Sequence, residues 1–250
     1  MTLDSLKARI DRVREAIAQA AERAGRRGEE VCLIAVAKTF PAEVSRQAVE
    51  AGITDLGESR VQEAQAKIEA LGSMARWHLV GRLQSNKAKV AVRLFDLIHS
   101  VDSLKLAQTL DRYAKAQGKV LRCLVEVNLG GEMSKGGTGP DGLAGLLEGL
   151  QGLPALRVEG LMALPPYHPD PEGSRPFFRR LRRLREDMKR RFPELPLHHL
   201  SMGMSQDFPI AVEEGATMVR VGTAIFGSRP SPGRVPREPG ESSSTDCGLP

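Results

Sequence analysis

The sequence predicts a single (β/α)8 barrel with an extra helix at its N-terminus, an α/β fold. Short apolar segments alternate with amphipathic helical segments, which is the pattern of a parallel sheet. The alternation repeats eight times within 250 residues, a length that suits one closed barrel. No G-x-G-x-x-G motif follows the first predicted strand, so an open dinucleotide-binding sheet has no support.

The predicted elements follow one another in a regular order. A leading helix spans 3–24, where apolar residues recur at helical spacing. The apolar segments predict strands over 31–38, 53–58, 77–81, 94–101, 120–128, 156–164, 197–203 and 217–222. The intervening segments predict eight helices. The first starts near Pro41, since proline suits the first turn of a helix. The others cover 60–71, about 85–93, Asp102 or Ser103 to 117, a segment that ends near Gly152, 175–192, about 206–214, and a short segment from near Thr223.

The C-terminal segment differs in composition from the rest of the chain. From about Ser228 onwards it is rich in Pro, Gly and Ser and has no apolar periodicity. We therefore assign residues 1–229 to the barrel and predict that residues 230–250 form a disordered tail.

The amino-acid composition indicates a globular protein and argues against a membrane-spanning, secreted or zinc-binding one. Hydrophobic residues make up 41% and charged residues 27%, as in ordinary globular proteins. No apolar run approaches the roughly 18 residues that span a bilayer, and the charged N-terminus has no signal-peptide core. The three cysteines match neither a zinc site nor a disulfide framework, so we predict no metal site. We expect a cytoplasmic protein without a membrane partner.

Much of the net charge of +5 comes from an arginine-rich segment, 175–192. Its apolar residues recur at helical spacing between the arginines. The segment could bind nucleic acid or an acidic partner, or it could be the solvated face of a barrel helix. We favour the barrel helix and expect no nucleic-acid binding, because the charge is modest and no nucleic-acid motif accompanies it.

Lys38 ends the first predicted strand, which is apolar on both faces. Active sites of such barrels lie at the C-terminal ends of the strands. An apolar wall lowers the pKa of a lysine and yields a nucleophilic amine suited to Schiff-base formation. The alternative is a lysine that extends to solvent from a strand end, and position alone does not separate the two.

The loops after strands seven and eight favour the functional interpretation. SMGMSQD (201–207) and RVGTAIFG (220–227) are turns rich in Gly, Ser and Thr that open into helices, and such turns bind phosphate. Ser201, Ser205 and Thr223 add hydroxyl donors, while Gly203 and Gly222 permit close approach of the backbone. Each turn alone could be ordinary helix capping. Together with Lys38 they suggest a phosphorylated aldehyde or ketone as ligand.

Several ordered motifs carry a family resemblance from about residue 3 to 229. They are AVAKT, GESRVQE, WHLVGRLQSNK, HSVDS, VNLGGEMSKGG, EGLMAL and LSMGMSQDFPIAVEEGATMVRVGTAIFG. With these motifs the chain resembles the pyridoxal phosphate homeostasis protein family. The resemblance implies a single barrel like the N-terminal domain of alanine racemase. It also implies binding of pyridoxal 5'-phosphate (PLP), a part in vitamin B6 homeostasis, and no established catalytic activity.

The resemblance also implies the cofactor site. Lys38 matches the lysine that holds PLP as a Schiff base, and Arg220 matches the arginine that faces the pyridine nitrogen. The phosphate-binding positions match Ser201, Ser205, Gly222 and Thr223. Met162 and Met204 are expected to line the pocket. Ser59 stands where the family usually has asparagine, so its contact with the cofactor is a departure from the pattern.

Arg220 has a chemical consequence that follows from its donors. A guanidinium only donates hydrogen bonds and does not readily protonate the pyridine nitrogen, so PLP opposite Arg220 is a poor electron sink. The alternative is a structural arginine paired with a carboxylate such as Glu58. His78 could be an acid or base, although a structural histidine is more common. Lys135 lies in a Gly-rich loop that could cover an anion or simply be solvated.

Three functions remain open from the sequence. A PLP carrier or regulatory protein, expected to be a monomer with PLP-dependent apoenzymes as possible recipients, is favoured because the predicted cofactor site has no second domain beside it. A PLP-dependent amino-acid racemase is the alternative, although neither Tyr113 nor Tyr167 is a convincing base. A Schiff-base aldolase without PLP has less support, because no paired acid stands beside Lys38.

Overall fold

The computed structural model describes residues 2–132 and 136–227. Eight parallel strands form a closed barrel in chain order, and β8 pairs with β1. The strands are β1 (Cys32–Val36), β2 (Asp55–Glu58), β3 (Arg76–Leu79), β4 (Leu97–Val101), β5 (Leu121–Glu126), β6 (Leu156–Met162), β7 (His199–Ser201) and β8 (Met218–Val221). The predicted (β/α)8 fold class is therefore confirmed. Residues 230–250, predicted to be a tail, and Lys135 lie outside the described residues.

One helix precedes the barrel and one α-helix follows each strand. These are α1 (Leu3–Arg23), α2 (Ala42–Glu50), α3 (Val61–Leu71), α4 (Ala88–Leu94), α5 (Leu104–Ala116), α6 (Leu143–Gln151), α7 (Arg175–Arg191), α8 (Phe208–Glu213) and α9 (Thr223–Phe226). Single 3₁₀ turns occupy Gly28–Glu30, Gly72–Met74, Ser85–Lys87, Pro140–Gly142 and Pro171–Ser174. Within 2–132 and 136–227, no helix is both long and apolar enough to cross a bilayer.

Some element boundaries differ from the predicted ones. The fourth strand was predicted from residue 94, but Leu94 ends α4 and the strand begins at Leu97. The apolar run hides this junction, because Phe95 is fully buried although it is not in the strand. The seventh strand is shortened to His199–Ser201, since Gly203 adopts a φ of +91° that no extended strand accommodates. Pro41 is the residue before α2 and not part of its first turn.

Two apolar clusters hold the barrel together. One fills the barrel interior and contains Ile34, Val36, Val80, Leu97, Leu124, Met162 and Met218. The other, larger cluster lies between the strands and the helices. Along β1, Ile34 and Val36 face the interior while Ala35 packs in the outer cluster, as the two-residue period of a strand requires. Residues of this period beyond the strand ends therefore point into the barrel mouth.

α7 is held on the barrel by both its apolar and its charged side chains. Phe178 and Leu181 are fully buried beneath it. On its other side, Arg175 binds Glu214 at 2.9 Å, and Arg179 binds the same carboxylate at 3.0 Å. These ion pairs connect α7 to the C-terminal end of α8. The contacts support the interpretation of the arginine-rich segment as a barrel helix.

Gly160 lies where the backbones of β6 and β7 approach each other closely. A Cβ atom at this position would lie 2.0 Å from the carbonyl oxygen of His199 on the neighbouring strand. We expect Gly160→Ala to lower the free energy of unfolding by at least about 3 kcal/mol, because backbone must move to admit the methyl group. Urea unfolding followed by circular dichroism measures the change.

Gly145 provides the matched control on α6. A Cβ atom there has no neighbour within 4 Å in the described structure. Gly145→Ala should raise the free energy of unfolding by roughly 0.5–1 kcal/mol, as alanine favours a helix. Equal effects of the two substitutions would contradict the close approach of β6 and β7.

Glu126 is a buried carboxylate at the C-terminal end of β5. It is 5% exposed, and its Oε2 has no hydrogen-bond partner among the described residues. Burial, reinforced by the charge of Asp102, raises the pKa of Glu126 from 4.5 to about 6. The folded chain therefore binds more protons than the unfolded chain between these two values.

Because of this raised pKa, the ionised Glu126 carboxylate destabilises the fold by an amount that depends on pH. Above about pH 6 the carboxylate is ionised in both states, and the cost is fully present; below pH 4.5 it is protonated in both states and the cost vanishes. We expect Glu126→Gln to stabilise the fold by up to about 2 kcal/mol near pH 8 and to have little effect near pH 4.5. Urea unfolding of both chains at the two pH values tests this. A stabilisation independent of pH would show that ionisation is not the cause.

Candidate functional site

A cavity of about 600 Å³ opens at the C-terminal ends of the strands. Its walls come from loops after β1, β2, β3, β6, β7 and β8. The lining residues are Val36, Lys38, Phe40, Ser59, Val80, Gly81, Leu164, Tyr167, Met204, Ser205, Gln206, Arg220, Gly222, Thr223 and Gly227. A cleft of about 610 Å³ lies at the opposite end of the barrel, but no lysine or histidine is among its described lining residues. The mouth cavity is therefore the candidate site.

Lys38 enters this cavity from a sharply turned segment. It lies two residues beyond Val36 and is half-buried. The next residue, Thr39, has a φ of 69°, the one positive value outside glycine in the described part of the chain. A threonine in this region is strained, so the surrounding contacts must hold the turn.

Lys67 and Glu58 hold the turn that contains Lys38 and Thr39 in place. Lys67 Nζ donates to the carbonyl oxygen of Ala37 at 2.7 Å and forms a buried ion pair with Glu58. Burial raises the pKa of Glu58, and the charge of Lys67 opposes this rise. Glu58 is thus the ion-pair partner of Lys67. The alternative in which Glu58 pairs with Arg220 is wrong.

The loops after β7 and β8 are joined by Ser205. Its Oγ accepts hydrogen bonds from the backbone N–H of Gly222 at 3.1 Å and of Ala224 at 3.2 Å. A Cβ atom on Gly222 would lie 3.2 Å from the carbonyl oxygen of Val36, so a larger residue would crowd β1. Backbone donors and the Ser205 hydroxyl therefore converge on one wall of the cavity.

Asp207 organises the loop after β7. Its Oδ1 accepts from the N–H of Met204 at 2.7 Å, and its Oδ2 accepts from Ser174 Oγ at 2.8 Å. Gly203 is required there, because a Cβ atom would approach the side chain of Ala211 to 2.6 Å at a φ of +91°. The Asp207 contacts fix where Met204 and Ser205 face the cavity.

Arg220 forms part of the cavity floor and is 4% exposed. One guanidinium nitrogen donates to Ser201 Oγ, and the other donates to the carbonyl oxygen of Ala163 at 2.9 Å. Burial lowers the pKa of Arg220 to about 10, with Glu126 and Asp207 opposing the shift. The guanidinium therefore stays charged at neutral pH.

A chain of buried polar side chains continues from Arg220 through the barrel interior. Ser201 Oγ lies 2.9 Å from His99 Nδ1, and His99 Nε2 lies 2.9 Å from His78 Nδ1. His78 Nε2 in turn lies 2.9 Å from Asp55 Oδ1. His78 is thus a hydrogen-bonded structural group below the cavity.

The structure brings seven of the nine predicted site residues to the cavity wall. These are Lys38, Ser59, Met204, Ser205, Arg220, Gly222 and Thr223. The other two, Met162, predicted to line the pocket, and Ser201, predicted to bind phosphate, are not among the residues that line the cavity. Met162 is fully buried in the interior cluster, and the Ser201 hydroxyl is occupied by His99 and Arg220. Both lie one layer below the mouth, because the strand register aligns Met162 with Ser201 and Ser201 with Met218, two residues before Arg220.

Sequence reasoning missed several lining residues. Leu164 shares the two-residue period of Met162, so counting two residues beyond that strand position would have found it. Phe40 and Tyr167 lie in loops without periodicity, which leaves no sequence signal. Tyr167 is 79% exposed at the cavity wall, whereas Tyr113 lies on α5.

Comparison with known proteins places the chain in a family. Residues 5–230 match the family described as alanine racemase, N-terminal domain. A pyridoxal phosphate homeostasis protein of Aquifex aeolicus is 47% identical over 222 residues, covering 88% of this chain and 97% of that protein. The protein of the same name from Pseudomonas aeruginosa is 42% identical over 228 residues, covering 91% and 97%.

Solved structures agree with this placement. PipY of Synechococcus elongatus, solved with PLP bound, superposes with a TM-score of 0.76 at 42% identity, covering 84% of this chain and 100% of that one. An alanine racemase of Clostridium difficile has a TM-score of 0.68 at 18% identity, covering 92% and 61%, and shows the shared fold alone. The chain belongs to the pyridoxal phosphate homeostasis protein family.

Proposed function

We propose that this protein binds PLP in the mouth cavity, holds it as a Schiff base through Lys38, and takes part in intracellular PLP homeostasis. The observation that carries the proposal is the convergence of a strand-end amine, backbone N–H donors and a buried guanidinium on one cavity. The PLP-bound structure of PipY, 42% identical, supports the same ligand.

The residues that line the cavity suit the phosphate group and the pyridine nitrogen of PLP. Gly222 leaves the wall open where a Cβ atom would crowd Val36, and the N–H groups of Gly222 and Ala224 already face a hydroxyl oxygen there. These donors suit a phosphate. Ser205 and Thr223 add hydroxyl groups on the same wall. Across the floor, Arg220 would hold the ring-nitrogen end of the cofactor, because a guanidinium only donates hydrogen bonds.

Ser59 fits the site as a smaller polar neighbour. It lines the cavity beside Gly81, where a Cβ atom would lie 2.3 Å from the carbonyl oxygen of Ser59. This approach fixes the Ser59 backbone against β3. We propose that Ser59 leaves room for a water between its hydroxyl and the cofactor.

We further propose that the protein is a carrier or regulator and not an enzyme. When bound, PLP supplies an aldehyde for Schiff-base chemistry, and it withdraws electrons strongly only when its ring nitrogen is protonated. The guanidinium of Arg220 has no group that accepts a proton, so it does not stabilise a protonated ring nitrogen. Carbanion chemistry on the cofactor is therefore disfavoured. The curated relatives are named homeostasis proteins, which agrees with this role. PLP-dependent apoenzymes are the proposed recipients, and residues 1–229 the proposed PLP-binding domain of a cytoplasmic monomer.

Lys38→Ala tests the attachment. The full chain is incubated with PLP, freed of excess ligand and treated with borohydride, and its visible spectrum and intact mass are recorded. We expect the original chain to lose its near-visible band and retain one pyridoxyl phosphate group on the peptide that contains Lys38. Lys38→Ala should show neither, because its side chain has no amine.

Lys89→Ala is the control, since Lys89 is exposed on α4 away from the cavity. It should behave like the original chain. A colourless original chain, or an adduct on another lysine, would contradict the proposal. Amino-acid racemisation is assayed on the same samples, and robust turnover would reject the carrier role in favour of a racemase.

Arg220→Glu tests the partner of the ring nitrogen. A glutamate can share a proton with that nitrogen, so we expect a changed spectrum and a faster reaction of the bound cofactor with added amino acids. Stopped-flow absorption measures both. Arg180→Glu, at an exposed position on α7, makes the same charge change and should leave the spectrum unaltered. An unchanged spectrum in Arg220→Glu would assign Arg220 a structural role only.

A further inference from the structure

The buried chain below the cavity connects the two ends of the barrel. Asp55 begins β2 at the N-terminal end, and Arg220 lies at the cavity floor. Between them, His78, His99 and Ser201 are joined by three contacts of 2.9 Å. Each of the five side chains is at most 5% exposed, so water does not compete for these contacts.

The donor and acceptor chemistry gives this chain one direction. Although burial alone would raise it, hydrogen bonds from His78 and Arg76 hold the pKa of Asp55 well below its usual range. Asp55 therefore accepts from His78 Nε2–H. With the ring proton of His78 on Nε2, its Nδ1 is left as the acceptor for His99 Nε2–H.

The direction of the chain can be followed on to Arg220. Burial lowers the pKa of His99 well below its ordinary value, and the charge of Arg220 lowers it further. A neutral His99 that donates through Nε2 accepts at Nδ1, and the donor it faces is the Ser201 hydroxyl. Ser201 Oγ is then left as an acceptor towards Arg220. Every donor in the chain points towards Asp55.

This direction matters because Arg220 is a buried cation. No ion pair joins it to a carboxylate among the residues that the structure describes, and the more distant charges of Glu126 and Asp207 offset the cost of its burial only in part. A polarised chain of hydrogen bonds ending on a carboxylate offsets part of that cost, because each bond strengthens its neighbour.

We propose that Asp55, His78, His99 and Ser201 form a relay of hydrogen bonds, polarised towards Asp55, that holds the Arg220 guanidinium at the cavity floor where it would meet the ring of the cofactor. These are positioning residues, since His99 and His78 act on the ligand through Arg220. The inference rests on the proposed function, because it assigns the relay a role towards bound PLP.

Other charged groups surround the relay and bear on its titration. Arg76 binds Asp55 with two hydrogen bonds of 2.8 and 2.7 Å, and Thr54 Oγ1 donates to the same carboxylate at 2.7 Å. At the other end, the carboxylates of Glu126 and Asp207 oppose the lowering of the pKa of Arg220 by burial. Near His99 lie Arg122 and His199, and a positive charge on either one lowers the pKa of His99. Both oppose protonation of His99, so the neutral form persists to acidic pH.

The first measurement needs no cofactor. Nitrogen-15 NMR of the histidine rings in the PLP-free chain reports which ring nitrogen carries the proton. We expect His99 and His78 each to carry a proton on Nε2 and a lone pair on Nδ1. A proton on His99 Nδ1 would reverse the direction of the relay and overturn the proposal.

The second measurement uses variants that interrupt the relay. Ser201→Ala removes the acceptor for Arg220, and we expect roughly 10-fold to 100-fold weaker PLP binding, as for a lost hydrogen bond to a charged group. His99→Phe removes both ring nitrogens without touching Arg220 and should weaken binding by roughly 3-fold to 10-fold. Both should shift the pH at which the visible band of bound PLP changes. His198→Phe is the control, because the His198 side chain is exposed outside the relay.

The outcomes separate the relay from the proposed function. If the original chain takes up no PLP, the proposed function fails and the role of the relay towards the ring falls with it, while the NMR result still decides its direction. If PLP binds normally and His99→Phe keeps the band and pH profile of His198→Phe, the relay is overturned and the proposed function stands. Circular dichroism confirms that each variant is folded before its binding is compared.

Discussion

Closure of the barrel through the pairing of β1 with β8 is the constraint on which the site depends. This pairing aligns Ile34 with Arg220 and Ala35 with Val221. Because both strands run in the same direction, their C-terminal loops emerge side by side. Lys38 and Gly222 therefore face one cavity although they are far apart in the chain. An open sheet would leave the first and last strands at opposite edges.

Strand periodicity then decides which side chains reach the cavity. The interior of the barrel is apolar around Ile34 and Leu124 but also contains the buried chain from Asp55 to Arg220. Such a polar interior is tolerated because its members satisfy one another's hydrogen bonds. The apolar cluster excludes water from the same space, which strengthens each polar contact. The cavity floor is consequently rigid and positively charged.

The walls of the cavity are held differently from its floor. Lys67 fixes the end of β1 through the carbonyl of Ala37, and Asp207 fixes the loop after β7 through the N–H of Met204. These contacts use backbone groups that no strand or helix satisfies. They explain how a turn containing Thr39 at a φ of 69° persists beside Lys38. Strain at this turn is balanced by a buried ion pair and a hydrogen bond to α3.

Sequence patterns predicted the fold class, the order of the elements and seven of the fifteen residues that line the cavity. Periodicity and Gly-rich turns are local signals, so Lys38, Ser205 and Gly222 could be identified without a structure. Only the tertiary structure decided the depth of each side chain, since depth depends on where a strand ends. Met162 and Ser201 therefore proved to lie below the cavity, and Glu58 proved to pair with Lys67. The chain of His78 and His99 was also hidden, because its contacts join four different strands across the barrel interior.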